Sequence, residues 1–127
     1  GSEDGQPVAP LMGDLKCFDG GASDLQLGMF SYFLIYSDHG VVYRFTPLDV
    51  QSTECEILWL VRDDAEEGKD YDIDRMKWLW DVTTIADKTI IEKNQEGVNS
   101  RFYEPGPYSP QEDWCVTMAD WYFERLA

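Results

Sequence analysis

Apolar residues are thinly spread up to residue 27 and become organised from Met29 onward. Met29–Tyr36 (MFSYFLIY) is aromatic and aliphatic throughout and reads as a strand, followed by the hairpin signal SDHG at 37–40. Gly40–Thr46 is the return strand, Pro47–Thr53 a polar connection and Glu54–Arg62 a third strand. By period-two counting Cys55, Ile57, Trp59 and Val61 share one face, while Leu58 and Leu60 make the other face apolar too. That pattern suits a strand covered on both sides, with Cys55 as a small core residue. Asp63–Tyr71 (DDAEEGKDY) reads as a charged, solvated loop. The period then lengthens to that of a helix from about Asp72 to Glu96, with Gly97 in the usual place for a C-cap. Pro105, Pro107 and Pro110 force an extended loop. A second helix over Gln111–Leu126 carries Trp114, Met118, Trp121 and Tyr122 as a core or interface stripe. Residues 1–19 read as a tail and irregular lead-in, with Gly1 and Ser2 an expression remnant, and the irregular stretch continues to residue 27. The expected class is α+β: consecutive antiparallel strands with a long helix laid across them, in one domain over residues 20–127.

One residue of the long helix breaks its own pattern. Advancing about 100° per residue, Asp87 falls beside Ile73, Met76, Trp80, Thr83, Thr84, Ile90, Ile91, Asn94 and Val98. The solvent stripe lies elsewhere: Asp74, Lys77, Asp81, Lys88, Glu92 and Gln95, with Lys77–Asp81 and Lys88–Glu92 as i,i+4 pairs. Trp78, Val82 and Ile85 lie opposite Asp87, so the helix is apolar on two sides and expected to be buried between layers or against another subunit. A carboxylate on an inward face must find a cation, donors or a metal, or take up a proton. The pattern leaves several readings open: an ion pair with Arg44 or Arg62, a helix-bend partner of Thr83 or Thr84, a face that is not core, or a metal ligand or catalytic acid.

Composition narrows the field. The 127 residues suffice for one domain with a modest core, and no apolar run approaches the roughly 20 residues of a membrane span. GSEDGQPVAP has no basic n-region and does not read as a signal peptide. A net charge of −15 argues against nucleic acid and favours a cationic ligand or a basic protein partner. Cys17, Cys55 and Cys115 form no CxxC pair, so neither a disulfide framework nor a zinc site is expected, and reduced thiols suit a cytoplasmic protein. The one histidine, His39, reads as a solvated turn residue, and no nucleophile–histidine pairing or phosphate loop can be built. A single inward acid is also no glycosidase pair.

Three stretches carry a resemblance: GGASDLQLG at 20–28, DHGVVYRFTPLDVQSTECEILWLV at 38–61 and WDVTTIADKTIIEKNQEGVNSRFYEPGPYSPQED at 80–113. With its D-x-x-I-I-E-x-N-Q-x-G-V-x-S core and PGPYS tail, the last is long and specific. From Gly20 to Leu126 the chain resembles the C-terminal part of the catalytic domain of Rieske non-haem iron oxygenase α subunits. The resemblance implies a partial helix-grip (START/Bet v1-like) fold and a mononuclear Fe(II) held by two histidines and one aspartate, the aspartate being Asp87. Asp81 is the runner-up but lies on the polar stripe, and Asn94 is placed to hydrogen-bond near a ligand. The Cys-x-His and Cys-x-x-His pairs of a Rieske 2Fe-2S cluster are missing, as are the two iron histidines and the acidic residue that relays electrons between subunits. Alone, such a piece is expected neither to hold iron tightly nor to turn over. The implied partners are O2, a small substrate, a reductase or ferredoxin drawing on NAD(P)H, and further copies in a homotrimer, with no nucleic acid or membrane. NQEGVNSRFYEPGPYS resembles the branch acting on glycine betaine, choline, stachydrine and carnitine, and Tyr32, Phe33, Tyr43 and Phe45 are candidate cavity residues for a cation. An arene-dihydroxylating enzyme and a non-enzymatic helix-grip module for an apolar ligand are the alternatives.

Overall fold

Four strands form one antiparallel sheet in a computed structural model that describes residues 1–127. They are β1 (Ala22–Gln26), β2 (Ser31–Tyr36), β3 (Gly40–Pro47) and β4 (Thr53–Leu60), each paired with its predecessor. The three strands expected from the apolar runs are β2, β3 and β4. The stretch taken as irregular contains β1, whose residues are almost all exposed. An edge strand open on both faces has no need of the apolar alternation by which strands are recognised, so its polar sequence concealed it.

Register sorts the side chains. Val41 lies opposite Leu34 on β2 and Trp59 on β4, and Tyr43 opposite Tyr32 and Ile57. Because side chains alternate along a strand, Tyr32, Leu34, Val41, Tyr43, Phe45, Ile57 and Trp59 share one face, and Phe33, Val42, Arg44 and Leu58 the other. The first turns of α1 (Ile73–Val98) cover the former face. Tyr43 and Thr84 share a hydroxyl–hydroxyl bond of 2.8 Å, and the Trp80 ring meets Tyr36 at 5.8 Å and Tyr43 at 6.0 Å, both edge-on. Asp72 starts the helix by accepting the Arg75 amide at 2.9 Å.

The core is small. Val8, Ala9 and Met76 are buried together, flanked by Trp59, Val61 and Tyr71. Val8 and Ala9 come from the segment read as a tail, so the apolar PVAPLM stretch packs on the sheet and is part of the fold. Cys55, expected inside, is exposed near the end of edge strand β4, and Leu58 and Leu60 are exposed on its other face.

The chain divides into two compact units, Gly1–Ala86 and Asp87–Ala127. The second holds the later turns of α1, a 3-10 turn (Pro110–Glu112) and α2 (Asp113–Leu126). The turn is fixed by reciprocal bonds: the Glu112 carboxylate accepts the Ser109 amide at 2.7 Å, and the Glu112 amide donates to the Ser109 carbonyl at 3.0 Å. The Ser109 amide holds the Glu112 carboxyl below the ordinary range. α1 continues through Gly97 to Val98 without a left-handed glycine, so the expected C-cap is one residue inside the helix. No residue of this unit is buried.

Candidate functional site

Asp87 is where sequence and structure part most clearly. Met76 and Trp80, on its helix face, are buried, but from Asp87 onward the face is open: Asp87, Ile90, Ile91 and Asn94 are all exposed. The opposite apolar stripe of Trp78, Val82 and Ile85 is exposed as well. An apolar face is a demand for cover, and on these turns the apolar side chains remain exposed. The alternatives considered for Asp87 resolve in part. Arg44 pairs with Glu56 and Arg62 with Asp64, so neither neutralises it. Thr83 donates to the Leu79 carbonyl at 2.9 Å and Thr84 bonds Tyr43, so neither is its bend partner. Asp81 is exposed on the polar stripe, where Lys77 chooses Asp74 at 2.9 Å over the expected Asp81, while Lys88–Glu92 forms at 2.8 Å as expected. Asp74 and its charge lift the Lys77 ammonium above its ordinary range.

No three His, Cys, Asp or Glu side chains converge on a point that would hold a metal. The donor set of this chain does not fit a complete iron site: one exposed carboxylate is at most one ligand of a facial triad. No step through iron is derived from these residues.

Three of the four aromatic cavity candidates do gather. Tyr32 and Phe45 meet edge to face at 6.2 Å, and Tyr43 stacks near Phe45 at 6.2 Å. Phe33 lies on the other face, where its ring packs so closely over Gly40 that a Cβ there would come within 2.8 Å of Cε2. The alternation of β2 separates it from the group.

The feature that sequence reasoning missed is the pair Asp38–His39. His39 was expected in solvent and is 1% exposed; Asp38 is 2% exposed. The turn is capped from three sides. Tyr36 stacks on the imidazole at 4.8 Å, Trp80 meets it edge-on at 6.5 Å, and the Val8 amide donates to Asp38 Oδ2 at 2.7 Å. His39 Nδ1 lies 2.9 Å from Asp38 Oδ1. Burial pushes the Asp38 carboxyl up, but the bond to His39, the Val8 amide and the imidazole's charge outweigh it and hold the group below its ordinary range. An ionised Asp38 only accepts, so Nδ1 carries a proton. His39 Nε2 is buried without a partner. Burial and Asp24 raise the neighbouring Tyr36 hydroxyl. The sequence signal was present in two places: an Asp-His step at the tip of two apolar strands, and an apolar PVAPLM run within a polar lead-in that needed something to pack on.

No helix is long and apolar enough to cross a membrane. Residues 30–127 match the family model described as ring hydroxylating alpha subunit (catalytic domain). The chain is 40% identical over 125 residues to the glycine betaine monooxygenase oxygenase subunit of Chromohalobacter salexigens, covering 97% of this chain and 28% of that protein. To the glycine betaine monooxygenase oxygenase subunit of Pseudomonas aeruginosa it is 38% identical over 117 residues, 91% of this chain and 27% of that one. The chain thus spans little more than a quarter of the length of these curated relatives.

Proposed function

Because the chain belongs to the family of ring-hydroxylating α-subunit catalytic domains, we propose that it supplies the C-terminal share of the catalytic domain of an oxygenase. The substrate class proposed is a small quaternary ammonium compound, demethylated with O2 and reductant. The observation that carries this reading is the identity of 40% along 97% of the chain to a glycine betaine monooxygenase oxygenase subunit.

In a subunit of full family length carrying this segment, Asp87 is the carboxylate ligand of a mononuclear iron whose two histidine ligands come from outside residues 1–127. When bound, iron supplies the activation of O2. The exposed Ile90 and Ile91 beside Asp87 are then covered by the rest of that subunit, which removes water from around the carboxylate. Asn94, two turns on along the same face, is a hydrogen-bond donor to the ligand shell. Electrons reach the subunit from NAD(P)H through a reductase or ferredoxin and a Rieske cluster carried elsewhere in it, and the subunit works as a homotrimer.

The aromatic group Tyr32, Tyr43 and Phe45, with Trp80 beside it, supports a cationic substrate, since ring faces attract a quaternary ammonium that cannot hydrogen-bond. The net charge of −15 acts in the same direction. Hydroxylation of an N-methyl carbon sets up its loss: the C–N bond breaks, formaldehyde leaves and the hydroxyl proton ends on nitrogen. The test is substrate-dependent NADH and O2 consumption by the full-length subunit with its reductase. Glycine betaine is expected to drive both and release formaldehyde stoichiometrically; consumption with an arene and none with betaine would assign the protein to the other branch of the family.

A further inference from the structure

The step Asp-Gly occurs twice, at Asp4–Gly5 and at Asp19–Gly20, and the two are built almost alike. Both glycines hold a positive φ, 72° at Gly5 and 71° at Gly20, which a residue without Cβ adopts freely. Both carboxylates fold back over the chain and accept the amide two residues on: Gln6 donates to Asp4 Oδ1 at 3.0 Å, and Gly21 to Asp19 Oδ1 at 2.9 Å. All four residues are exposed. The difference lies in what else holds the carboxylate. Arg75 Nη2 donates to Asp4 Oδ1 at 3.1 Å and to Oδ2 at 3.0 Å. Asp19 takes part in no ion pair.

We propose that Asp19–Gly20 is a site of spontaneous isoaspartate formation, and that Arg75 shields Asp4–Gly5 from the same reaction. The Gly20 nitrogen attacks Asp19 Cγ and releases its proton. In the neutral carboxyl Oδ2 carries the other proton needed, and it departs as water. The product is a five-membered cyclic imide. Water then adds to one of its two carbonyl carbons. Opening at Cγ restores aspartate; opening at the main-chain carbonyl leaves the chain running through Cγ as isoaspartate. No oxidant or reductant enters, and the overall change is an isomerisation. Two local features favour closure at Asp19. The Gly21 amide already points at Oδ1, where negative charge develops during attack. The carboxyl also lies flat on the backbone, so that a Cβ at Gly21 would come within 3.6 Å of Asp19 Cγ.

Arg75 opposes the same closure at Asp4 in two ways. The reacting form is the neutral acid, and there the Gln6 amide and the guanidinium together hold the carboxyl below its ordinary range. Arg75 also binds Oδ2, the oxygen that must depart. Asp19 has no such pair to break. Edge strand β1 begins at Ala22, which pairs with Tyr36 of β2, so the extra main-chain carbon of isoaspartate falls just ahead of that pairing. The product is marked by a free α-carboxylate, the group that isoaspartyl carboxyl methyltransferases esterify.

The test ages the 127-residue chain at neutral pH in heavy-oxygen water and then cuts it after Lys16, which puts the two steps in separate peptides. Each passage through the imide inserts one heavy oxygen, and methyl transfer by an isoaspartyl carboxyl methyltransferase counts the rearranged product. Both signals are expected in the Asp19 peptide, and about two- to fivefold more slowly in the Asp4 peptide, the range of an exposed ion pair. In urea, where Arg75 no longer meets Asp4, the two rates are expected to converge. Arg75→Gln is expected to raise the Asp4 rate to that of Asp19 and to leave Asp19 unchanged; an unmoved Asp4 rate would count against the shield. Equal rates in the folded wild type, no product at Asp19, or a difference that survives in urea would overturn the proposal. Those wild-type outcomes stand even if Arg75→Gln fails to fold, and none of them bears on the oxygenase reading.

Discussion

The two units of this chain contain similar apolar sequence and treat it in opposite ways. In Gly1–Ala86 the helix residues Met76 and Trp80 are buried against strands and against Val8 and Ala9. In Asp87–Ala127 the equivalent positions Ile90 and Ile91, and the α2 residues Trp114, Met118 and Tyr122, remain exposed. Periodicity states which face of a helix requires cover; it does not contain the cover. On this helix face the first unit finds a sheet within its own sequence, whereas Ile90 and Ile91 in the second stay exposed. Contiguous exposed apolar residues of this kind mark surfaces that meet other protein, in keeping with a chain that spans about a quarter of its relatives' length.

Substitutions should separate the units by size of effect. Trp80→Ala, which removes a buried ring touching Tyr36, His39 and Tyr43, should cost about 3–5 kcal/mol in urea unfolding of the chain. Asp38→Ala should follow at about 2–4 kcal/mol, since it strands the Val8 amide and the His39 Nδ1–H without acceptors. Gly40→Ala forces the Phe33 ring aside and should cost about 1–2 kcal/mol. Ile90→Ala, at 66% exposure, should change stability by less than about 0.5 kcal/mol in this chain. A large loss at Ile90, or none at Trp80, would erase the distinction between the units.

Acid provides a second separation. Asp38 has a folded pKa below its ordinary value of 3.8, so its contribution is fully present above that pH and is lost as pH falls through the lower, folded value. Urea midpoints measured downward from pH 5 should therefore fall most steeply below pH 4, and Asp38→Asn should flatten that part of the curve. An unchanged slope in the variant would remove Asp38 from the list of groups that hold the first unit together.

How much of this was legible in the sequence depended on whether the pattern and its partner were both in view. The apolar runs of β2, β3 and β4 and the long period of α1 located those elements to within a few residues, because local alternation and helix period suffice for that. β1 was lost because an exposed edge strand carries no apolar alternation. His39 was misplaced because a polar turn signal says nothing about distant segments packing on the turn, here Trp80 against the imidazole and the Val8 amide on Asp38. Asp87 stood out as an anomaly on its helix, and the structure leaves it exposed. The role proposed for Asp87 rests on the family likeness, while the structure of these 127 residues gives it only an exposed place on α1.

The most direct measurement is the iron content of the full-length subunit carrying this segment, wild type against Asp87→Ala, read together with the absorption of its Rieske cluster. Asp87→Ala is expected to lose the mononuclear iron and betaine turnover while the cluster spectrum and, in the 127-residue chain, the urea midpoint stay unchanged. Retention of mononuclear iron and turnover in that variant would show that the carboxylate ligand lies elsewhere.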